Sequence, residues 1–180
     1  MLASLPGGVG DKALAKVGTS DVSKLSWLLD LLNRPVGSFA TIPSSELKEL
    51  ESEVAVFCEP LGSIEGGPRG RLTAGIIGDL HHHVSGVVEA LLVGASAELQ
   101  IPSVALYLIP GSGCRYIGTP NVMFRLATAR LLENEGHRIK RCTRPGCGRL
   151  FAHRKRGLYC GRKCSQLVQF RRYVERHAGS

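Results

Sequence analysis

The sequence lacks several features that would place it in a membrane or outside the cell. No apolar run of about 18 residues occurs, because Glu89 and Glu98 interrupt the longest apolar region. Residues 1–20 contain no basic stretch followed by an apolar one, which is the pattern of a secretory signal. We therefore expect a cytoplasmic protein that does not bind membranes. In that compartment clustered cysteines are more often metal ligands than disulfides.

Acidic residues are almost absent from the last quarter of the chain. Residues 138–180 contain 13 Lys or Arg and one acid, Glu175, whereas residues 1–137 contain 10 Lys or Arg and 14 Asp or Glu. The net charge of +8 over all 180 residues therefore combines a mildly acidic body with a strongly basic end. A positive field of this strength favours a polyanionic partner, and we expect nucleic acid.

Four cysteines lie within this basic end, in the pattern C-x4-C-x12-C-x3-C: Cys142, Cys147, Cys160 and Cys164. Two close cysteine pairs separated by a short loop can supply the four sulfur ligands of one tetrahedral zinc ion. The sequence thus predicts one structural Zn²⁺. Iron–sulfur ligation and four metal-free cysteines are the alternatives. Four thiolates leave no open position for water, so we expect a structural site and not an enzyme.

The residues around the cysteines predict a small treble-clef-like finger. Pro145 and Gly146 favour a tight turn between the first two ligands, and Gly148 would let the backbone approach the metal without a Cβ. The second pair is expected at the start of a helix, with both sulfurs on one side. Along that helix Leu167, Phe170 and Val174 would pack on the knuckle and the hairpin.

The finger sequence resembles a known family. Cys-Thr-Arg-Pro-Gly-Cys-Gly-Arg-Leu-Phe from Cys142, Tyr-Cys-Gly-Arg-Lys-Cys from Tyr159, and the basic helix that follows are similar to the CGNR-type zinc finger. That finger closes a family of bacterial proteins with an ABATE-type N-terminal domain, regarded as transcription regulators. The helix sequence from Phe124 to Leu132 also fits the family's layout. The resemblance implies a DNA-binding regulator.

One departure from the family limits what the resemblance implies. Where the family has Cys-Gly-Asn-Arg at the last ligand, this chain has Cys164-Ser-Gln-Leu, and its second cysteine pair is one residue closer. A role of the Asn-Arg pair in the family is therefore not transferred to this chain.

The predicted nucleic-acid contacts are basic or polar residues of the finger. Phosphate contacts are expected from the loop between the cysteine pairs and from the helix, and base contacts from Lys163, Gln166, Gln169 and Arg172. DNA is preferred over RNA only through the family resemblance. The alternatives are a solvated basic helix and an adaptor whose helix binds an acidic protein or RNA. The full set is Arg144, Arg149, Arg154, Lys155, Arg156, Arg162, Lys163, Gln166, Gln169, Arg171, Arg172 and Arg176.

The fold class predicted for the chain is α+β with more helices than strands. We expect a flexible arm at 1–20, an α+β domain at 21–137 that could form a homodimer, and the finger at 138–180. Periodic apolar residues predict helices over 22–32, 45–57, 80–93 and 120–133. A hairpin is predicted from 103–109 and 114–117, and a glycine-rich loop over 61–71. His81, His82 and His83 point in three directions on a helix, so we favour a polar patch over a metal site.

Overall fold

The computed structural model describes residues 9–64, 71–102, 104–109, 113–153 and 157–178 of the chain. In this part the protein combines α-helices and short β-strands, and most of its regular structure is helical, in agreement with the expected class. The helices are α1 (Val9–Val17), α2 (Asp21–Leu32), α3 (Ser44–Cys58), α4 (Ala74–Leu92), α5 (Pro120–Glu135) and α6 (Arg162–His177). The strands are β1 (Gly62–Ile64), β2 (Ala105–Ile109), β3 (Gly113–Gly118), β4 (Ile139–Arg141) and β5 (Leu150–Ala152).

Helix α1 occupies part of the segment expected to be a flexible arm. It packs on α3, and Ala13 and Val17 are buried in the core. Lys16 of α1 also forms an ion pair at 2.5 Å with Glu53 of α3, a buried carboxylate that accepts a hydrogen bond from Trp27 at 2.8 Å. At nine residues this helix is too short to be stable alone, so its contacts with α3 hold it in place.

The core lies between α2, α3, α4 and α5. Leu25 and Leu28 of α2 are fully buried, as are Val84 of α4 and Met123 of α5. Three aromatic rings, those of Trp27, Phe57 and Phe124, pack with centroids 5.0–6.2 Å apart where α2, α3 and α5 meet. The predicted helices α2, α3 and α5 are confirmed to within two residues at each end. Helix α4 begins at Ala74, six residues before its predicted start, because Thr73 caps it by accepting from the N–H of Ile76.

A three-stranded sheet with strand order β1-β3-β2 packs beside α3 and α5. The hairpin of β2 and β3 is antiparallel, and its strands match the predicted ones. The prediction of a glycine-rich loop over 61–71 is wrong at its first residues. Gly62–Ile64 form β1, which pairs in parallel with β3, with Gly62 opposite Tyr116. The rest of that loop, 65–70, lies outside the described residues. A second, two-stranded antiparallel sheet joins β4 and β5.

No helix in the described ranges combines the length and the apolar character that crossing a bilayer requires.

Gly18 ends α1 and should be the glycine most sensitive to substitution. Its φ is +73°, and an added Cβ would lie 2.5 Å from Cβ of Ser23. Gly94 has nearly the same φ, +72°, but nothing lies within 4 Å of its added Cβ. We expect Gly94→Ala to lower the free energy of unfolding by about 1–2 kcal/mol, the cost of the left-handed conformation. Gly18→Ala should lower it further. Equal losses in urea unfolding would contradict the steric argument.

A candidate metal centre and the helix beside it

The four cysteines predicted as ligands converge on one point. Their sulfur atoms all lie within 4.8 Å of one another, and they form the only such group of possible metal ligands among the described residues. Cys147 Sγ lies 3.8 Å from Cys160 Sγ and 3.7 Å from Cys164 Sγ, and the last two sulfurs are 3.5 Å apart. A disulfide would need about 2.05 Å. The cluster is therefore four free cysteines that can hold one metal ion.

The turn between Cys142 and Cys147 depends on two glycines. Gly146 and Gly148 have φ values of +74° and +61°, in the left-handed region that favours glycine. An added Cβ on Gly148 would meet nothing closer than a side-chain nitrogen of Arg141, at 3.9 Å. The positive φ is by itself a reason for glycine at this position, and the close approach of the backbone to a metal stays a prediction.

The sulfurs have different electrostatic surroundings. A hydrogen bond from the backbone N–H of Arg149 is the main reason that the pKa of Cys147 is lowered to about 6. Burial, together with the contacts to the neighbouring sulfurs, raises the pKa of Cys160 to about 12. The Nε–H of Arg144 donates to Cys164 Sγ at 3.2 Å. Full deprotonation of four sulfurs this close together therefore requires a cation among them.

The strands on either side of the turn are anchored to the helical core. The side-chain amide of Asn33, at the end of α2, donates to the carbonyl of Leu150 at 2.9 Å and accepts from its N–H at 2.8 Å. Ile139 and Leu150 belong to the same buried cluster as the helices. Arg149 pairs with Asp30 at 2.6 Å, and Arg141 pairs with Glu89. The first half of the predicted finger is thus docked on α2 and α4.

Helix α6 begins at Arg162, two residues after Cys160, and Cys164 lies in its first turn. Beyond that turn every side chain of the helix is exposed except that of Val168, which is half-buried. Leu167 is 47% exposed, Phe170 67% and Val174 44%. The expectation that these three side chains pack on the knuckle and hairpin is therefore wrong. Only the first turn of α6 is held by the cysteine cluster, and the remaining turns extend into solvent because no described element of the body lies beneath them.

The structure separates the predicted nucleic-acid contacts into three groups. Arg144 and Arg149 are engaged at the knuckle, and Arg171 pairs with Glu175 at 3.0 Å within α6. Arg154, Lys155 and Arg156 lie outside the described residues. The remaining six are exposed on α6 and form no ion pair in the part of the chain that the structure describes: Arg162, Lys163, Gln166, Gln169, Arg172 and Arg176.

Four of these residues share one face of α6 with an aromatic side chain absent from the predicted set. Arg162, Gln166, Gln169, Tyr173 and Arg176 follow one another at intervals of four, three, four and three residues, so they form one stripe along the helix. All five are exposed, and the ring of Tyr173 stacks on that of His177 with centroids 4.1 Å apart. The spacing alone could have identified this stripe.

The histidine run does not form a metal group among the described residues. His81 is buried, with Nε2 3.2 Å from the carbonyl oxygen of Leu32, while Nδ1 of His83 lies 2.7 Å from the carbonyl oxygen of Asp79 in its own helix. Burial lowers the pKa of His81. The rings of His82 and His83 lie edge to face with centroids 5.9 Å apart, whereas His81 is buried in the core.

Comparisons of the chain with protein-family models, with curated proteins and with solved structures found no match.

Asn33 should contribute more to stability than an exposed asparagine on the surface of a helix. Replacing it with Ala leaves the N–H and the carbonyl of Leu150 without partners, which should lower the free energy of unfolding by about 1–3 kcal/mol. Asn134→Ala is the control, because Asn134 is exposed on α5. Urea unfolding of both variants under the same conditions measures the difference. A loss no larger for Asn33→Ala than for Asn134→Ala would show that Asn33 does not hold the hairpin.

Proposed function

We propose that this chain is a nucleic-acid-binding protein, with DNA as the preferred partner, in which one structural zinc ion fixes a basic helix to an acidic body. The observation that carries the proposal is the exposure of α6 from its second turn onward, together with five Lys or Arg against one acid over Arg162–His177. A role in transcription regulation rests on the family resemblance alone.

Zinc is the ion that best fits the four sulfurs. A tetrahedral ion with Zn–S bonds of about 2.3 Å needs sulfurs about 3.8 Å apart. The three separations given above, 3.5–3.8 Å, agree with that spacing. Sulfurs in such close contact surround a single ion and leave no room for a cluster of several iron and sulfide atoms, which favours zinc over the iron–sulfur alternative. Four protein ligands also leave no position for substrate.

The proposed arrangement is of the treble-clef type. The turn between β4 and β5 supplies Cys142 and Cys147, and the start of α6 supplies the other two ligands. Thr143 ties the second half to the first, because its N–H and hydroxyl both donate to the carbonyl of Leu158, at 3.1 and 3.0 Å. The metal would then set the direction in which α6 leaves the body.

Nucleic acid suits the charge and the shape of α6 together. A sixteen-residue helix clear of the body can enter a major groove, which is wide enough for one helix. The stripe defined above offers guanidinium groups at both ends for phosphates and two glutamine amides between them for base edges. The only acid of the helix, Glu175, is already paired with Arg171.

A second function is favoured by one specific observation. The exposed apolar side chains Leu167, Phe170 and Val174 are spaced three and four residues apart and form their own stripe beside the polar one. A basic amphipathic helix of this kind also fits the apolar groove of an acidic protein partner. Binding to a protein would depend on these three residues, whereas binding to DNA would depend on the arginines.

Metal analysis tests the ion. We expect about one zinc per purified chain. Cys142→Ser should lose most of it, because the remaining three ligands cannot close the shell. Cys58→Ala is the matched control, since Cys58 is free and buried at the end of α3, away from the cluster. Iron in place of zinc, or equal metal content in the two variants, would overturn this assignment.

Titration of DNA and RNA duplexes at several salt concentrations tests the partner. We expect the affinity to fall steeply with salt. The triple variant Arg162→Ala, Arg172→Ala, Arg176→Ala should reduce the slope of log K against log salt by up to about 0.9 for each phosphate that it no longer neutralises. The matched control removes three exposed cations of the body, Lys12, Lys48 and Arg71.

The two candidate functions give different results in this experiment. An affinity that is insensitive to salt, or one that the body variant reduces as much as the α6 variant does, would eliminate nucleic-acid binding through α6. If neither DNA nor RNA binds at low salt, the acidic-protein candidate is favoured.

A further inference from the structure

A small apolar pocket lies where α2, the end of α3 and α5 meet, away from the cysteine cluster. Its volume is about 230 Å³. Its walls include apolar side chains from three elements, chiefly Phe57, Leu61 and Leu131, and Ala127 of α5. Two cations, Lys24 and Arg130, also line it, together with Asp21 and Asn134. An apolar cavity with a few convergent polar groups is the usual form of a small-molecule site.

Lys24 is buried in this wall without a counter-ion. Its side chain belongs to a residue that is only 7% exposed, and no carboxylate lies within 4.0 Å of Nζ in the described parts of the chain. The one hydrogen bond from Nζ is a long one, 3.4 Å to the carbonyl of Phe57. An ammonium group has three donors. A buried cation whose donors are mostly unused is unfavourable unless an anion compensates it.

The groups around Lys24 do not supply that anion. Asp21 and Glu59 are exposed, so water screens much of their attraction for the ammonium. Burial raises the pKa of the Cys58 thiol to about 12, which keeps this neighbour neutral. Burial likewise lowers the pKa of Lys24, although the carboxylates of Asp21 and Glu59 act in the opposite direction. Arg130, exposed at the mouth, forms no ion pair within the described ranges.

We propose that this pocket binds a small monocarboxylate with an apolar body, whose carboxylate lies between Lys24 and Arg130 and whose apolar part contacts Phe57, Leu61 and Leu131. The size of the cavity limits the ligand, because drug-sized molecules occupy pockets of about 300–1,000 Å³. The walls, apolar apart from these polar groups, favour a carboxylic acid with a ring or a short chain over an inorganic anion. The proposal does not depend on the metal or on nucleic-acid binding.

Titration of the full-length, metal-loaded protein with benzoate and with hexanoate tests the pocket, with backbone amide chemical shifts as the measurement. We expect saturable shifts confined to the amides of α2, α5 and the end of α3. Acetate carries the same carboxylate without the apolar body. It should bind at least about tenfold more weakly, since it buries less apolar surface. Benzamide and benzylamine keep the ring but lack the negative charge, and neither should bind.

Two substitutions separate the head-group contacts from the fold. Lys24→Met keeps an unbranched apolar chain in the wall, and Arg130→Gln changes an exposed side chain of the rim. Each should raise the Kd for benzoate by about tenfold or more, the loss expected for a hydrogen bond to a charged group. Lys48→Met, on the exposed face of α3, is the matched control and should leave the Kd unchanged.

Three results would overturn the proposal. The first is the absence of saturable shifts with both acids, and the second is binding of benzylamine as tight as that of benzoate. The third is a Kd for benzoate that is unchanged both in Arg130→Gln and in Lys24→Met. If Lys24→Met fails to fold, Arg130→Gln and the benzamide and benzylamine titrations still decide the question. None of these readouts involves DNA, so the outcome is independent of the function proposed above.

Discussion

Four cysteine sulfurs within 4.8 Å of one another repel each other once they lose their protons. Only two donors described around the cluster offset this charge, the backbone N–H of Arg149 and the guanidinium of Arg144. A metal ion bound among the four sulfurs would supply the positive charge that four thiolates at this distance need. In the proposed zinc site the position of α6 depends on that stabilisation, because most of the helix beyond its first turn is exposed and Cys164 is its main buried residue.

The cluster can orient α6 only if the turn that carries its first two cysteines is itself held in place. Cys142 and Cys147 lie on a turn whose strands are held by the core: Leu150 is buried there, and its two backbone groups are both bonded to the amide of Asn33. The chain of contacts therefore runs from α2 to β5, from β5 through the turn to the sulfurs, and from the sulfurs to α6. A helix with no packing of its own can still have a defined direction, since each link in this chain is short and specific.

Much of this architecture follows from local sequence patterns. Helical periodicity identified α2, α3 and α5, and the cysteine spacing identified the cluster, because both patterns reflect neighbours a few residues apart. What the sequence did not reveal depends on distant partners. Strand β1 exists through its pairing with β3, and α1 through its packing on α3. Periodicity also gave the apolar side of α6 correctly, but no pattern within a helix states whether another element covers it. The DNA preference and the domain boundaries stay predictions.

Helix α2 has a part in both proposed sites. Lys24, in its first turn, lies in the wall of the small pocket, while Asp30 in its last turn and Asn33 just beyond it hold Arg149 and Leu150 of the hairpin. These residues are about two to three turns apart on a rigid element whose intervening side chains, Leu25, Leu28 and Leu29, are fully or almost fully buried.

A ligand that bonded to Lys24 would remove the cost of an uncompensated buried charge from this helix. It would change the affinity of α6 for a partner only if it favoured one position of α2 over another, because a ligand with equal affinity for two states shifts neither. Helix α2 packs against α4 and α5 through fully buried leucines, which leaves little room for a second position, so the physical expectation is that the pocket stabilises the body and acts on α6 weakly.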